Sequence, residues 1–559
     1  MNGQSTNNDI HDQTKGRDGT MNKNNWIILI VAICSILCFT SVDLHAFSEG
    51  YVLTGSYGGT TTVLLDSTGK TIHSWDHRSL ANPKNGYSCY LLKNGNLLRS
   101  AIVPDGTAHS SMSPAQGIIQ EIDPKGKIVW SFTFASTDSG MTHHDMKPMS
   151  NGHILAVVFV PLTKEKMKAS GIDTSLIPRM SSTKFLLSEK IIEIDPKAEG
   201  GAKIVWEWKI HDHVIPDAQA AEHPELISGS IVKQAFYGNQ WVHLNGLDYN
   251  EKLDMIIFSS RVFSECFIID HGTTIQEAAG HTGGKRGKGG DILYRWGNPA
   301  NYKASGATKL NVLHCVNWIP EGYPGEGNII FFHNNASSSG GNKSFSQVVE
   351  IKLPMNTDGS FTKSSGQPFS PTAPTWLFAP TENFSSPAMS SAFRLPNGNT
   401  LTHLAYPSSG DGSTNMNTAS QLLEVDKDQN ILWKSTIDID SRSTPTPGMS
   451  SNFNPAKIMY YNNNYQGVKS LLSGVSTKKA ITNSRTQPLL YRTSGKIVIS
   501  DINASDVSIF DVQGKIYGSF VPTGNSISID TYTFSPGIYY VKIISKDGSS
   551  AVSSFNFTR

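Results

Sequence analysis

The sequence predicts an all-β protein, a six-bladed β-propeller followed by a small C-terminal β-sandwich. Three observations carry this. Long amphipathic helical patterns are scarce, while short apolar runs bounded by turn residues recur along all 559 residues, 49 of them glycine. A hairpin ending in tryptophan recurs, at Trp75, Trp130, Trp206, Trp296, Trp376 and Trp433. A second hairpin, built on Asn-Gly, alternates with it. Radial repetition of small antiparallel sheets explains such a repeat, whereas a stack of β-sandwiches does not. Composition is 38% hydrophobic and 17% charged, and the net charge of +1 gives no electrostatic case for nucleic acid or an anionic membrane surface.

The chain opens with a targeting signal. Trp26 to Thr40 is an apolar run of about 15 residues, short for a membrane span and suited to a signal-peptide core. Ala46 offers a small residue at the cut, so residues 1–46 form a leader with a polar extension, and Met21 is a candidate true start. An uncleaved anchor is the alternative, but the mature chain is expected to lack a stable membrane span. Cys34 and Cys38 leave with the leader, and Cys89, Cys266 and Cys315 are too few and too widely spaced for a disulfide framework.

Residues 47–463 hold the propeller. Its tryptophan hairpin reads as strand, acidic residue, turn, strand: Val63 to Trp75, Ile119 to Trp130, Ile191 to Trp206 and Leu422 to Trp433 are full copies, with degenerate ones at Trp296 and Trp376. The Asn-Gly hairpins stand at Asn94-Gly95, Asn151-Gly152 and Asn397-Gly398, where both central residues are expected to take positive φ. The longest insertion, 160–235, has helix-like pieces at 164–171 and 219–228. A glycine-rich basic loop, 280–290, lacks the spacing of a phosphate-binding loop and reads as a loop with an anion as its possible contact. Residues 464–488 are polar and read as a linker. Residues 489–559 alternate with turns every 8–12 residues, which fits a small sandwich.

Four polar clusters fall at strand ends: Thr142-His143-His144-Asp145, His243 with Asn245, Arg261, and His314 with Asn317. A propeller brings matching strand ends to one axial mouth, so these residues can converge. On a regular strand only one of His143 and His144 faces the axis. His211 and His213, at i and i+2, are the better metal pair but lack a clear third ligand.

These clusters also carry a resemblance. His144-Asp145 before an Asn-Gly hairpin, Trp241-Val-His243-Leu-Asn245, Ser259-Ser-Arg261 and Leu313-His314 with Trp318-Ile-Pro-Glu resemble, in this order, motifs of the bacterial aryl-sulfate sulfotransferases. The resemblance runs over most of residues 50–435 and implies a propeller that moves a sulfuryl group from a phenolic sulfate ester to an acceptor phenol. The implied route is ping-pong through a sulfo-histidine, with no cofactor, metal or nucleotide sulfate donor. It assigns His243, His314, Arg261 and His144 to catalysis and Asn245, Asn317 and His143 to substrate binding. The family's Gln-His-Asp is Leu313-His314-Cys315 here, which leaves His314 and His403 as candidate nucleophiles. The stretch 384–390 holds no histidine. The non-catalytic alternative is a secreted propeller that binds sulfated or anionic glycans or phenols; a metal-dependent hydrolase or lyase is a third reading. The C-terminal module, with Ser535-Pro-Gly-Ile-Tyr-Tyr-Val-Lys542, resembles the sorting domain of type IX secretion substrates. That resemblance implies a Bacteroidota-type source, export through the periplasm by that machinery, and release or surface attachment. A small carbohydrate-binding or adhesion module is its alternative.

Overall fold

A computed structural model describes residues 47–107, 114–172, 185–229, 240–337, 344–364, 366–380, 384–407, 419–437, 455–475 and most of 489–557. The expected leader, 1–46, lies outside the described residues. The chain divides into two compact units, residues 1–475 and 476–559.

In the first unit, antiparallel sheets follow one another along the chain. Sheet 2 runs Asn85–Leu91, Leu97–Ile102, Gly117–Ile122 and Ile128–Thr133; sheet 3 runs Gly140–Pro148, Ile154–Leu162, Leu186–Asp195 and Lys203–Lys209, with a short extra strand at Ala135–Ser136. Sheet 4 runs Leu244–Asn250, Met255–Ser260, Glu265–Asp270 and Ile292–Trp296. Sheet 5 starts at Leu313–Trp318 and sheet 6 at Ser391–Arg394. Sheet 1 takes its inner strand from the end of the unit: Pro455–Tyr461 pairs antiparallel with Tyr51–Ser56. The inner strands then touch in a closed ring, from Asn85–Leu91 through each sheet to Pro455–Tyr461 and back. This is the propeller architecture that the repeats predicted.

The core follows from the two-residue period of a strand, which points successive side chains to opposite faces. Leu53 packs toward sheet 2 with Leu91 and Ile122, while its neighbour Val52 packs toward sheet 6 with Leu401 and Leu422. Ile256 joins sheet 3 residues such as Leu155, whereas Ile257 joins sheet 5 through Phe331. Phe332 in turn faces sheet 6 through Ala392 and Leu404. Apolar clusters between successive sheets therefore replace a single central core.

The repeated tryptophan has a specific use. It lies on the outermost strand of its sheet and reaches the outer connection of the next. The indole N–H donates to Asp123 O from Trp75 (3.0 Å), to Thr273 Oγ1 from Trp206 (3.1 Å), to Pro371 O from Trp296 (2.8 Å) and to Lys427 O from Trp376 (2.9 Å). Trp433 packs edge-on against Phe47 at 5.4 Å. The acidic residue of the repeat caps its turn: Asp123 Oδ1 accepts from the backbone N–H of Lys125 and Lys127, and Asp426 Oδ1 from those of Asp428 and Asn430.

The Asn-Gly hairpins join inner strands, but not in the expected turn. Only the glycines are left-handed, with φ of 86°, 88° and 92° at Gly95, Gly152 and Gly398. Each asparagine side chain accepts from the N–H two residues on, at 2.9 Å. This is an asparagine-capped turn followed by a left-handed glycine, the three-residue hairpin loop.

Two other expectations change. The stretch expected as linker begins with a helix, Gln466–Val475, whose Val468 and Leu471 are buried with Leu91, Leu97 and Tyr461. In the insertion, Lys164–Ala169 is helical and capped by Thr163, but 217–228 holds only a 3-10 turn and a two-residue strand. The second unit has a three-stranded sheet (Leu489–Thr493, Lys496–Ser500, Ser526–Asp530) and a four-stranded one (Ala504–Asp511, Ile516–Phe520, Gly537–Ser545, Ser550–Phe557). Ile497, Ile499, Val507, Ile509, Ile529 and Val541 share their core, as expected of a small sandwich.

Candidate functional site: an axial imidazole cluster

Three successive inner strands are distorted at the same level. His144, His243 and Cys315 are left-handed, with φ of 45°, 55° and 54°, a conformation costly for residues with a Cβ. Register shifts accompany each, opposite Ala156–Val158, at Leu244–Gly246 and at His314–Asn317. Bulges of this kind re-aim side chains out of the regular alternation. Here they turn imidazoles toward the axis. The ring of His144 lies 4.6 Å from that of His243 and 4.9 Å from that of Tyr87. Arg261, just beyond Met255–Ser260, donates its backbone N–H to His243 O at 3.0 Å.

The histidines are buried beside a half-buried arginine. Burial first, then the Arg261 guanidinium and the His314 ring, hold His243 well below the ordinary imidazole range. Burial and the neighbouring His243 and His143 do the same to His144, with further contributions from His314 and Arg261. Burial and Arg261 bring His314 down to about 3 against the opposing hydrogen bond it donates to Asn334. His144, His243 and His314 are therefore neutral at pH 7, and Arg261 supplies the formal positive charge near them.

Hydrogen bonds fix which nitrogen is basic. Asn334 Nδ2 donates to Ser386 O (2.8 Å) and Met389 O (3.0 Å), so its Oδ1 faces His314 Nδ1 at 2.7 Å and accepts from it. The lone pair of His314 is then on Nε2. Gln240 Oε1 likewise accepts from His243 Nδ1, leaving Nε2 basic. His143 and His144 share a proton between Nδ1 atoms 2.7 Å apart.

The structure thus brings His144, His243, Arg261 and His314 together. The other expected residues go elsewhere. Asn245 donates to Leu313 O (2.7 Å) and accepts from Ser259 Oγ (2.7 Å), tying sheet 4 to sheet 5. Asn317 donates to Cys315 O (3.0 Å) and Ala392 O (2.8 Å), tying sheet 5 to sheet 6. Both amides hold the ring together rather than reach the mouth. His143 stacks on Phe159 at 3.5 Å, behind His144, with Nε2 3.7 Å from the buried Glu189. Asp145 is a hub of the ring: it accepts from Lys457 Nζ (2.8 Å), Tyr90 Oη (3.3 Å) and the N–H of Leu247 (3.1 Å). His403 is buried and brought down to about 3 by burial alone, with no charged neighbour contributing. It stands apart from the other imidazoles. The histidine-free stretch is a serine-clamped turn in which Ser390 Oγ donates to Ser386 Oγ and both hydroxyls accept backbone N–H groups of Ala405 and Tyr406.

The spacing of His211 and His213 also fails to pair them. Ile210–His213 is a 3-10 helix, not a strand, and the rings diverge, His211 to Ser188 Oγ and His213 to Asp291. In the glycine-rich loop, Lys285 is paired with Asp254 (2.5 Å) and Arg286 with Asp270 (2.6 Å), so these cations answer internal carboxylates.

Sequence reasoning missed Tyr87, Gln240, Glu189, Asn334 and Lys457. Tyr87 has a buried hydroxyl without a partner among the described residues, and burial keeps its phenol un-ionised. Glu189 is buried, which raises its pKa well above the usual range, and it accepts the N–H of Leu244 at 2.6 Å, bracing the left-handed turn at His243. A cavity of about 820 Å³ lies between Trp130, Lys147, Met149, His153 and Tyr465. It contains none of the clustered imidazoles.

A propeller whose axis gathers neutral imidazoles and an arginine is suited to holding and transferring a small anionic group. The match to known proteins is more specific. The family model of arylsulfotransferases (ASST) matches residues 60–361, and the chain belongs to this family. The matched span includes His144, His243, Arg261 and His314 but not His403. Membership supports sulfotransferase activity. A secretion-system C-terminal sorting domain matches residues 493–554; this tail marks the protein for export by the type IX machinery, and for secretion or surface attachment. No helix among the described residues is long and apolar enough to cross a membrane. No curated protein matches the chain. Similar solved structures include PorZ, a surface component of the type IX secretion system of Porphyromonas gingivalis (11% identity, 91% of this chain, 75% of that one, TM-score 0.22). Others are the Cps50 β-propeller domain of Myceliophteria thermophila (10%, 69% and 89%, 0.34) and apo AztD of Citrobacter koseri (8%, 86% and 99%, 0.29).

Proposed function

We propose that the protein transfers a sulfuryl group between phenols by a ping-pong route in which His314 Nε2 is the nucleophile. The observation that carries this is the Asn334 lock. It fixes the proton of His314 on Nδ1 and presents a bare Nε2 among His243, His144 and Arg261. In the first half, Nε2 attacks sulfur, an N–S bond forms, the S–O bond to the aryl group breaks, and a phenolate departs. The Asn334 carbonyl stabilises the positive ring that results. In the second half, His243 Nε2 takes the proton of the acceptor phenol as its oxygen attacks sulfur, and His314 is released. That proton balances the one the departing phenolate takes up. Arg261 neutralises charge on the sulfuryl oxygens throughout, in a water-poor site where such a group is most effective. Tyr87 and His144 line the rim, and no step requires a metal or a nucleotide donor.

The test is phenol release from 4-nitrophenyl sulfate by the full chain, with and without an acceptor phenol, with intact mass recorded during turnover. The expected result is acceptor-dependent release and a gain of one sulfuryl group on the peptide that carries His314. Release with the label on the peptide of His403 would reject the assignment. No release from any of several aryl sulfates would favour a propeller that only binds such anions.

A further inference from the structure

Away from the axis, His213, His281 and Asp291 place one donor atom each within 4.8 Å of one another. Their chemistry is incomplete as it stands. His213 Nε2 lies 2.9 Å from Ala278 O, and a carbonyl only accepts, so Nε2 carries the proton. In a neutral ring, Nδ1 is then a bare lone pair, yet it points at Asp291 Oδ1 from 3.0 Å. The same oxygen meets His281 Nδ1 at 2.7 Å. Two acceptors facing each other inside the protein repel unless something positive lies between them.

We propose that His213 Nδ1, His281 Nδ1 and Asp291 Oδ1 bind a divalent cation of the zinc type, with water in the fourth position. Two imidazoles and a carboxylate suit that class of ion. Bonds of about 2.0–2.2 Å in a tetrahedron hold donors about 3.3–3.5 Å apart, so the two His–Asp pairs, now at 3.0 and 2.7 Å, open by roughly half an ångström. His281 can swing to widen its own pair, because its side chain is 55% exposed. The surroundings are already those of a ligating histidine: the second ring nitrogen of His213 is held by a backbone carbonyl, and its ring stacks on Trp208, 5.4 Å away. Trp208 Nε1 also donates to Gly290 O at 2.7 Å. A Cβ at Gly290 would come within 2.0 Å of Ala278 O and 2.8 Å of His213 Nε2, so only glycine lets the backbone bring Asp291 this close. The cation would fasten the glycine-rich loop, which precedes the outer strand of sheet 4, to the turn that follows the outer strand of sheet 3. Its role is structural and separate from the axial chemistry.

The experiment uses the full chain stripped by a chelator and titrated with Zn²⁺ against a chromophoric competitor. The expected result is one equivalent bound at micromolar Kd or tighter, and a Tm raised by roughly 2–4 °C at a hundredfold excess over Kd. His281→Ala should remove both effects; because the residue is exposed, the variant should fold. Asp291→Asn provides a second loss. Failure to bind one equivalent would overturn the site and leave His213 simply hydrogen-bonded to Asp291. Equal binding by His281→Ala would overturn it too. Turnover of an aryl sulfate at 25 °C should survive the chelator, which separates this site from the transferase reading.

Discussion

Three axial histidines and one peripheral histidine of the same propeller unit are in opposite protonation states. At the axis, His144, His243 and His314 are buried near Arg261 and one another, and all are held below the ordinary imidazole range. Between the outer parts of sheets 3 and 4, His271 lies between Asp254 (2.6 Å) and Glu193 (3.0 Å). Burial would push His271 down, but the two carboxylates raise it to about 9. The residue type is the same and both groups are largely buried. What differs is where the carboxylates are. Glu189, which braces the turn at His243, is itself driven toward its neutral form by burial. Neutral imidazoles can attack or accept protons; His271, protonated between two carboxylates, is held as part of the structure instead.

Exchanging substitutions between the two groups gives the largest expected effect. His314→Ala removes the proposed nucleophile and should lower kcat/KM by more than about 10⁴-fold, with the fold retained by circular dichroism. His271→Ala should do the reverse, leaving turnover near that of the parent while lowering Tm. If His314→Ala retains more than a tenth of the activity, the axis is not the site of chemistry.

Importing a carboxylate to the axis is the next test. Gln240→Glu places an anion on His243 Nδ1, where the amide oxygen now accepts. His243 should then stay protonated at pH 7 and lose its role as base. Transfer to the acceptor should fall by about 10²-fold at pH 7 and recover as pH rises. The first burst of phenol release should persist. A loss of the burst instead would mean that His243 acts in the first half of the reaction.

These partners also mark the limit of what the sequence could reveal. The tryptophan repeat was legible because four of the six indoles serve the same purpose, donating to the outer connection of the next sheet, so their spacing follows the sheets. His144, His243, Arg261 and His314 were legible as a joint pattern at strand ends. Asn334 and Gln240 were not, since a polar residue near a strand end has no periodic signature, and their role appears only once the side chains are placed. Lys457 meets Asp145 across 312 residues of chain. At His243 the left-handed turn breaks the strand's alternation, and the Asn245 side chain two residues on ties sheet 4 to sheet 5. The helix at Gln466–Val475 was missed because its apolar contacts, Val468 and Leu471, sit within a polar stretch.

The outer group should show its charge in the pH dependence of stability. His271 is raised from its ordinary value to about 9 in the folded protein. Its contribution is fully present below about pH 6.5 and is lost as pH rises through 9. Tm should therefore fall between pH 7.5 and 9.5. Asp254→Asn removes one of the two anions, so the remaining loss should begin at lower pH, on top of a general destabilisation of about 1–3 kcal/mol. An unchanged alkaline limb in Asp254→Asn would mean that Glu193 alone sets the charge of His271.

The smallest expected effect is the absence of one. If burial and Arg261 hold His314 near 3, the nucleophile loses no activity to protonation anywhere near neutrality. The rate of the first half-reaction, read as the phenol burst, should be flat from pH 8 to about 5. Stability should not be flat over the same range. The unfolded chain takes up protons on these histidines below about pH 6.5 while the folded protein does not, so folding weakens as pH falls toward the depressed values. The two profiles should separate, with a constant burst from a protein of falling Tm. A burst that halves near pH 6.5 would mean that water reaches His314 in the working enzyme. The contrast between axis and periphery would then rest on the carboxylates alone, not on burial.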